Sequence, residues 1–476
     1  MLLPNDLRSA LALLRQTGDE ITLVKRSISP EVEMIEDFLD AYRQPGGSWF
    51  ADEQPLRLYR RPTRGEFPVL MGMFGNRRRC RLFLDPYGRY SSEISNAQLL
   101  LQAASSPIAP RLLGGDKRNF RNVRKPAEIL DLLPILRYLQ DDPGPTVTLG
   151  LIYAHDNRTG AANCSYHRIT FKEDSAVVSI DSRGHLQHML STHLARGERL
   201  PISVNIGLDP AIYLASTLTR PCLSYGSDEL GVAGALRSNA VEVAPCRANT
   251  GRYIAHAEIV IEGMLSAEKE PEAAEVAGFS LPEYLGYRSP CGMATTLQVQ
   301  AVSYRAGAIY QTLSGPGVEQ SILLGLGQEC SLLARLKTEG LERLFCRVAA
   351  LPSGGGHLLT VLQVAKRACG DDLCVIDAAK RLLGEVPSLK NVLLVDEDVD
   401  PYSERDVLWA MSTRARLERD IHVSVLLPGT SLDPSQLPLY GGSDANGFVN
   451  KCVVDCTVPF SSRRRFQRAF STGVLM

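Results

Sequence analysis

The sequence predicts a multidomain protein of mixed α+β and α/β type, in which a β-rich domain precedes a C-terminal α/β domain. First, 476 residues exceed the length at which one hydrophobic core stops growing, so roughly two or three domains are expected. Second, the middle of the chain contains short runs of β-forming residues between turn residues. Third, helical and strand patterns alternate after the Gly/Pro-rich segment 314–317, which is typical of an α/β domain.

The N-terminal and central patterns differ from each other. Residues 5–43 predict mostly helix, because Leu7, Leu11 and Leu14 and later Ile35 and Phe38 recur at helical spacing. The central strands are predicted from β-branched and aromatic content over residues 146–153, 166–171, 202–206 and 297–302.

The C-terminal part predicts helices over 321–338, 378–383 and 403–419 and strands over 357–364 and 392–395. Beyond Pro428 the density of Gly, Pro, Ser and Asp predicts a loop. We therefore predict an N-terminal region over residues 1–317, with its β-rich core at about 110–317, and an α/β domain over residues 318–476.

Composition excludes several classes of protein. A hydrophobic content of 44%, with 22% charged residues, is that of an ordinary globular chain. The formal net charge of −1 gives no overall attraction to nucleic acid or to an anionic membrane. No apolar run reaches the ~18 to 20 residues of a membrane span, and the start lacks a signal-peptide pattern. With 11 scattered cysteines, a cytoplasmic protein with reduced thiols is expected.

Five polar residues have the chemistry of a site. Asn163, His185 and Glu229 offer an amide oxygen, an imidazole and a carboxylate, a mixed ligand set for a hard divalent cation. Arg168 and Glu283 could anchor and protonate a carboxylate substrate.

Each metal candidate also has a structural interpretation. Asn163 could cap a turn before a strand near Tyr166, and spacing alone does not prefer His185 over the two histidines that follow it. Glu229 could simply stabilise the first turn of a helix. Glu258 competes with Glu229 for the role of carboxylate ligand, although a network role is the simpler interpretation.

In order along the chain, several motifs resemble the UbiD family of prenylated-flavin decarboxylases over roughly residues 60–456. They include Asn-x-Ser-x-x-Arg at 163–168, Glu-Leu-Gly-Val-Ala-Gly-Ala-Leu at 229–236 and Glu-x-x-Gly-Tyr at 283–287. His185 before Leu186 also fits the pattern. Further matching runs lie at 67–75, 205–211, 258–263, 394–400 and 407–410.

The resemblance implies a split-barrel-like flavin-binding domain and a C-terminal domain that serves oligomerisation and closes the active site. Prenylated FMN would be the cofactor, supplied by a flavin prenyltransferase, with Mn²⁺ or Mg²⁺ joining its phosphate to the protein and K⁺ nearby. Asn163, His185 and Glu229 would bind the metal. The cofactor-binding residues would be Asn163, Ser165, Arg168, His185, Ser216, Thr217, Leu218 and Glu229. A homodimer or a higher homo-oligomer is expected.

The implied activity is non-oxidative, reversible decarboxylation of an aromatic, heteroaromatic or α,β-unsaturated carboxylic acid. Arg168 would orient the substrate carboxylate or the flavin, and Glu283, its pKa raised by partial desolvation, would return a proton to the product. Gly278 replaces the first acid-loop Glu of the family pattern, so Glu275 or Glu272 would have to substitute for it. This departure supports one alternative, a flavin-binding or partner-assembly protein that has lost catalysis. An ordinary flavin oxidoreductase is a further alternative.

Overall fold

The computed structural model describes residues 3–42, 53–115, 117–273, 279–290, 292–315, 317–430, 432–435, 447–466 and 468. The chain forms two compact units, Met1–Glu319 and Gln320–Met476. The predicted mixed α/β multidomain class is confirmed, with several separate sheets and no closed barrel among the described strands.

The described residues form helices and strands that we number in chain order. The helices are α1 (Leu7–Gln16), α2 (Glu33–Asp40), α3 (Arg77–Leu84), α4 (Asn96–Ala104), α5 (Pro126–Leu132), α6 (His185–Ala195), α7 (Pro210–Ala215), α8 (Glu229–Arg237), α9 (Val318–Thr338), α10 (Asp371–Glu385), α11 (Glu404–Arg414) and α12 (Leu417–Asp420). The strands are β1 (Ile21–Ile28), β2 (Leu56–Pro62), β3 (Val69–Met71), β4 (Arg111–Leu112), β5 (Asn119–Asn122), β6 (Thr146–Val147), β7 (Leu151–His155), β8 (Ala162–Tyr166), β9 (Ile169–Phe171), β10 (Ala176–Val178), β11 (Leu200–Ile206), β12 (Glu242–Pro245), β13 (Arg252–Ile254), β14 (Ile259–Pro271), β15 (Phe279–Pro282), β16 (Arg288–Pro290), β17 (Met293–Tyr304), β18 (Tyr310–Gln311), β19 (Phe345–Ala350), β20 (Leu359–Val364), β21 (Asn391–Asp396), β22 (Ile421–Pro428) and β23 (Phe448–Asp455).

The largest sheet in the described part of the first unit has the strand order β6-β9-β10-β17-β14-β11-β7-β8, with β5 also paired to β17. Its long strands β14 and β17 are antiparallel, and β11 is buried along its whole length. Residues such as Ile202, Val204 and Ile261 build the main core. Strand β8, which contains Asn163 and Ser165, is the last strand in this order.

A smaller sheet corrects the prediction that residues 5–43 are mostly helical. Helices α1 and α2 are present, but β1 lies between them and pairs in parallel with β2. The sequence of β1 includes the β-branched residues Ile21, Thr22 and Val24, which favour a strand. The Leu spacing of α1 does not extend through it.

The described part of the second unit contains a sheet of order β19-β20-β21-β23-β22, in which β20, β21 and β23 run in parallel. Alternate residues of β20 face two cores, since Leu362 belongs to the cluster with α10 and Val361 to the cluster with α11. The loop predicted beyond Pro428 is wrong for β23, a central strand. Its apolar residues Val453 and Val454 are buried, and the strand signal in this short run was outweighed by the surrounding turn residues.

Among the described helices, none combines the length and apolar character needed to cross a bilayer.

Candidate active site

Strand β8 and the two residues after it hold three of the predicted site residues, Asn163, Ser165 and Arg168. Residues 166–171 do not form the single predicted strand, because β8 ends at Tyr166 and β9 begins at Ile169. Arg168 therefore lies in the break between two strands. The alternation of side chains between the two faces of a strand does not determine where its side chain points. Asn163 lies within β8, opposite Ala154 of β7, so it does not cap a preceding turn.

Glu229 reaches the backbone of β8 from the first turn of α8. Asp228 caps this helix by accepting a hydrogen bond from the amide of Leu230 at 2.9 Å. The buried carboxylate of Glu229 accepts the amide of Cys164 at 2.7 Å. Burial, together with the charge of Asp228, raises the pKa of Glu229 to about 8. A cation beside Glu229 would offset this cost of burying a negative charge.

His185 is the first residue of α6, which packs against β8. Its Nε2 accepts a hydrogen bond from Nε of Arg220 at 3.1 Å, and its ring meets Tyr225 edge-on. Burial and the nearby charges of Arg220 and His188 lower its pKa, which favours the neutral ring that binds metals. His185 thus contacts Arg220 and Tyr225, whereas Glu229 bonds the backbone amide of Cys164, the residue that follows Asn163.

The end of α7 lies beside the same strand. The side chain of Ser216 is close to the Cys164 thiol, but its buried Oγ has no good hydrogen-bond partner among the described residues. Thr217 donates its hydroxyl to the carbonyl of Leu214 at 2.7 Å, and Leu218 is buried. An unsatisfied hydroxyl next to an apolar residue suits a ligand that has both polar and aromatic parts.

Arg168 is held between two carboxylates. Its Nε and Nη2 donate to the two oxygens of Glu272, both at 2.7 Å, and its Nη1 donates to Glu283 at 2.5 Å. The side chain of Glu272 is 1% exposed and that of Glu283 is 17% exposed. Bidentate pairing fixes the guanidinium plane, and Glu283 is the more solvent-exposed of the two carboxylates.

Glu272 was one of two candidates for the acid residue missing at Gly278. It directly follows β14, where its amide donates to the carbonyl of Gly292 at 2.9 Å. Gly278 and Glu275 lie outside the described residues. The structure therefore completes a carboxylate–guanidinium–carboxylate cluster with Glu272, a residue that the family spacing alone did not select.

Glu258 has another role. Its carboxylate accepts two hydrogen bonds from Arg8, both at 2.8 Å, a third from Arg305 at 3.2 Å and a fourth from the amide of Ile309. The side chain is fully buried in this network. Its negative charge is already matched by two arginines, so it is a poor candidate for a cation ligand.

Three residues that contact the predicted site, His167, Ser179 and Arg220, were not predicted from the sequence. His167 contacts Ser165 and the carbonyl of Ser179, and Arg220 contacts His185. The position of His167 inside the motif 163–168 was the one available signal. Within the described ranges no three His, Cys, Asp or Glu side chains gather into a cation site, so a metal here would need the amide of Asn163.

Models of protein families match most of the chain. Residues 115–317 match the 3-octaprenyl-4-hydroxybenzoate carboxy-lyase Rift-related domain, and residues 321–456 match the C-terminal domain of the same carboxy-lyase. The chain is 30% identical to gallate decarboxylase of Lactiplantibacillus plantarum over 84% of its own length and 83% of that protein.

Two solved structures are similar over nearly the whole chain. The apo 3,4-dihydroxybenzoic acid decarboxylase of Enterobacter cloacae has a TM-score of 0.87 and 32% identity, covering 99% of this chain and 98% of that one. The UbiD-class enzyme HmfF of Pelotomaculum thermopropionicum, in complex with FMN, has a TM-score of 0.83 and 27% identity, covering 98% of both chains. The chain belongs to the UbiD family of decarboxylases and is a carboxy-lyase.

Proposed function

We propose that the protein uses prenylated FMN to catalyse the non-oxidative, reversible decarboxylation of an aromatic, heteroaromatic or α,β-unsaturated carboxylic acid. The observation that carries the proposal is the position of Arg168 between Glu272 and Glu283. A planar cation that is fixed on one side and partly exposed on the other can orient a carboxylate. A carboxyl group beside it can move a proton.

Each member of the cluster has a distinct task. Buried Glu272 fixes the guanidinium of Arg168, which would then orient the substrate carboxylate or the flavin. Glu283 would be a carboxylate while CO2 leaves, would then take up a proton from solvent, and as the carboxylic acid would donate that proton to the product carbon. With Glu272 in place of the acid missing at Gly278, the main argument for a protein without catalysis weakens.

The residues around β8 suit the implied cofactor and metal. The buried carboxylate of Glu229, the amide of Asn163 and the neutral ring of His185 match the ligand preferences of Mn²⁺ or Mg²⁺. Ser165, Ser216, Thr217 and Leu218 would contact the cofactor. When bound, a prenylated flavin supplies the electron sink that side chains lack.

Other parts of the proposal rest on the family resemblance. We propose that a K⁺ ion lies near the cofactor phosphate and that a flavin prenyltransferase supplies the cofactor. We also propose a cytoplasmic location and a homodimer or higher homo-oligomer. Residues 318–476 would form the oligomer contacts, and this domain would also close the active site. HmfF itself has been solved as an evolved dimeric form in complex with prenylated FMN. Hydroxylated benzoates are the first substrates to test, because two relatives act on gallate and 3,4-dihydroxybenzoate.

The test is to co-express the full chain with a flavin prenyltransferase. We expect a co-purifying flavin with the mass of prenylated FMN and release of CO2 from at least one acid among 3,4-dihydroxybenzoate, gallate, furoate and cinnamate. Turnover with unmodified FMN, driven by NADPH and a quinone, would instead identify an oxidoreductase. Bound cofactor without turnover of any of these acids would favour the assembly protein.

The metal assignment has a matched pair of variants. Glu229→Gln should lose both metal and flavin, because a charged ligand is removed. Glu258→Gln should keep both, since its carboxylate pairs with Arg8 and Arg305. Metal content and flavin absorbance measure the outcome. The reverse pattern would identify Glu258, rather than Glu229, as the carboxylate ligand of the metal.

A further inference from the structure

A chain of hydrogen bonds leads from the protein backbone to the amide of Asn163. Nδ1 of His167 lies 3.0 Å from the carbonyl oxygen of Ser179, and its Nε2 lies 2.9 Å from Oγ of Ser165. Nδ2 of Asn163 donates to the same Oγ at 2.7 Å. All three side chains belong to the motif at 163–168.

The direction of every hydrogen bond in this chain follows from the carbonyl of Ser179 at one end and from the neutral ring of His167. A carbonyl oxygen only accepts, so Nδ1 of His167 must have the proton that bonds to Ser179. Burial lowers the pKa of His167 to about 4, which keeps the ring neutral and leaves Nε2 as an acceptor. Ser165 therefore donates its one hydroxyl proton to His167 and accepts from the amide of Asn163.

The amide of Asn163 consequently has a single allowed orientation. Its nitrogen is bound to Ser165, and its Oδ1 has no hydrogen-bond partner among the described residues. Reversing the amide would place Oδ1 against Oγ of Ser165, whose proton is already committed to His167. Two oxygens without a proton between them repel each other at this distance.

We propose that His167 is a positioning residue that acts through Ser165 to hold Oδ1 of Asn163 ready for the cation. This inference rests on the proposed function, since it takes Asn163 to be a metal ligand. Neighbouring residues that orient metal ligands typically contribute about 10- to 100-fold to metal affinity.

The segment that contains His167 is itself fixed. The amide of Ser179 donates to the carbonyl of Arg168 at 3.2 Å, while the carbonyl of Ser179 accepts from His167. Ser179, in the segment between β10 and α6, therefore holds the break between β8 and β9 through both its amide and its carbonyl. This rigidity is what allows a side-chain relay to set an orientation.

The experiment measures Mn²⁺ affinity of the full chain, purified with its cofactor, by titration and by manganese EPR. His167→Leu removes the acceptor, and Mn²⁺ affinity should fall about 10- to 100-fold. His167→Gln should stay within about 3-fold of the native protein, because an amide can donate to Ser179 and accept from Ser165. Ser165→Ala should resemble His167→Leu with less disturbance of packing, which covers the case in which His167→Leu does not fold.

His155→Leu is the control, since its ring bonds Asn157 outside this chain of bonds, and it should bind Mn²⁺ normally. Native affinity in both His167→Leu and Ser165→Ala, with loss in Asn163→Ala, would overturn the relay while leaving the metal site intact. Equal loss in His167→Gln and His167→Leu would also overturn it. Native affinity in Asn163→Ala would instead refute the metal site of the proposed function.

Discussion

Arg168 shows how one residue can bind two carboxylates that have different surroundings. Glu272 is almost completely buried and takes two of its donors, whereas Glu283 takes one and is more exposed. A buried charge pair is costly to break by removing one partner. The two glutamates should therefore respond differently to the same substitution.

Glu283→Gln should give a folded protein that retains its cofactor but decarboxylates at least ~10²-fold more slowly, because an amide cannot deliver the proton. The measurement is the initial rate of CO2 release beside the flavin absorbance of the same sample. Near-native turnover would assign the proton to another group.

Glu272→Gln should lower turnover by about 10- to 100-fold through loss of the bidentate anchor that positions Arg168. Glu270→Gln is the matched control, because Glu270 lies two residues before Glu272, at the end of β14, and its side chain is 41% exposed. Glu275→Gln tests the other sequence candidate. Damage from Glu275→Gln with a native rate in Glu272→Gln would show that the wrong glutamate was chosen here.

At the scale of elements, a buried ion pair joins α7 to α8. Arg237 donates to both oxygens of Asp209, at 2.7 and 2.6 Å, and also to the carbonyl of Phe83. Asp209 caps α7, which leads to Ser216, and Arg237 ends α8, which begins at Glu229. The pair therefore couples the two helices that supply cofactor and metal residues.

Asp209→Asn should destabilise the first unit by about 3 to 5 kcal/mol, since Arg237 keeps a buried and unpaired charge. Thermal unfolding followed by calorimetry measures the effect. Arg26→Gln breaks a solvent-exposed pair with Glu33 and Asp37 and should lower the unfolding temperature much less, because water and salt screen an exposed pair. Equal effects of the two variants would contradict the importance assigned to burial.

Glu319, at the start of α9, gives a prediction about pH. Its oxygens accept the amides of Gly72 and Phe74, and burial raises its pKa to about 7 from the ordinary 4.5. The folded protein then binds a proton more tightly than the unfolded chain does, so this contribution is complete below pH 4.5 and is lost as pH rises through 7. The loss amounts to at most about 3 kcal/mol.

As the pH rises from 5 to 8, the melting temperature of the native protein should therefore fall relative to that of Glu319→Gln, in which this group does not titrate. The substitution also loses one acceptor for the two amides, so its baseline stability at pH 5 should be below that of the native protein. An unchanged pH dependence in Glu319→Gln would rule out this carboxyl group as the cause.

The sequence predicted local features of elements better than contacts between them. The position of Glu229 in the first turn of a helix followed from a local pattern, and α8 begins at this residue. The break at 167–168 and the choice of Glu272 depend on pairing between distant strands, which no local pattern records. Likewise, β1 and β23 derive much of their stability from neighbours in their sheets.

At the scale of the whole molecule, each unit has a hydrophobic cluster of its own among the described residues. Phe38 belongs to the cluster of the first unit and Leu382 to one in the second, and both are fully buried. Each residue should therefore report on the unit that contains it.

Phe38→Ala should cost about 3 to 5 kcal/mol and Leu382→Ala about 2 to 5 kcal/mol. Calorimetry should show that each variant lowers the midpoint temperature of a different unfolding transition. Leu373→Ala, at a residue that is 71% exposed, should lower neither midpoint. A single transition shifted equally by Phe38→Ala and Leu382→Ala would show that the chain unfolds as one cooperative unit.

The relay at Asn163 also limits which amino acids can occupy that position. Aspartate would offer a cation a full negative charge, but it has no proton to give Ser165, whose hydroxyl already bonds His167. The site must then use a neutral amide, and Glu229 is left as the one anion of the proposed trio. A divalent ion bound there would keep a net positive charge, which is the electrostatic condition for holding a phosphate.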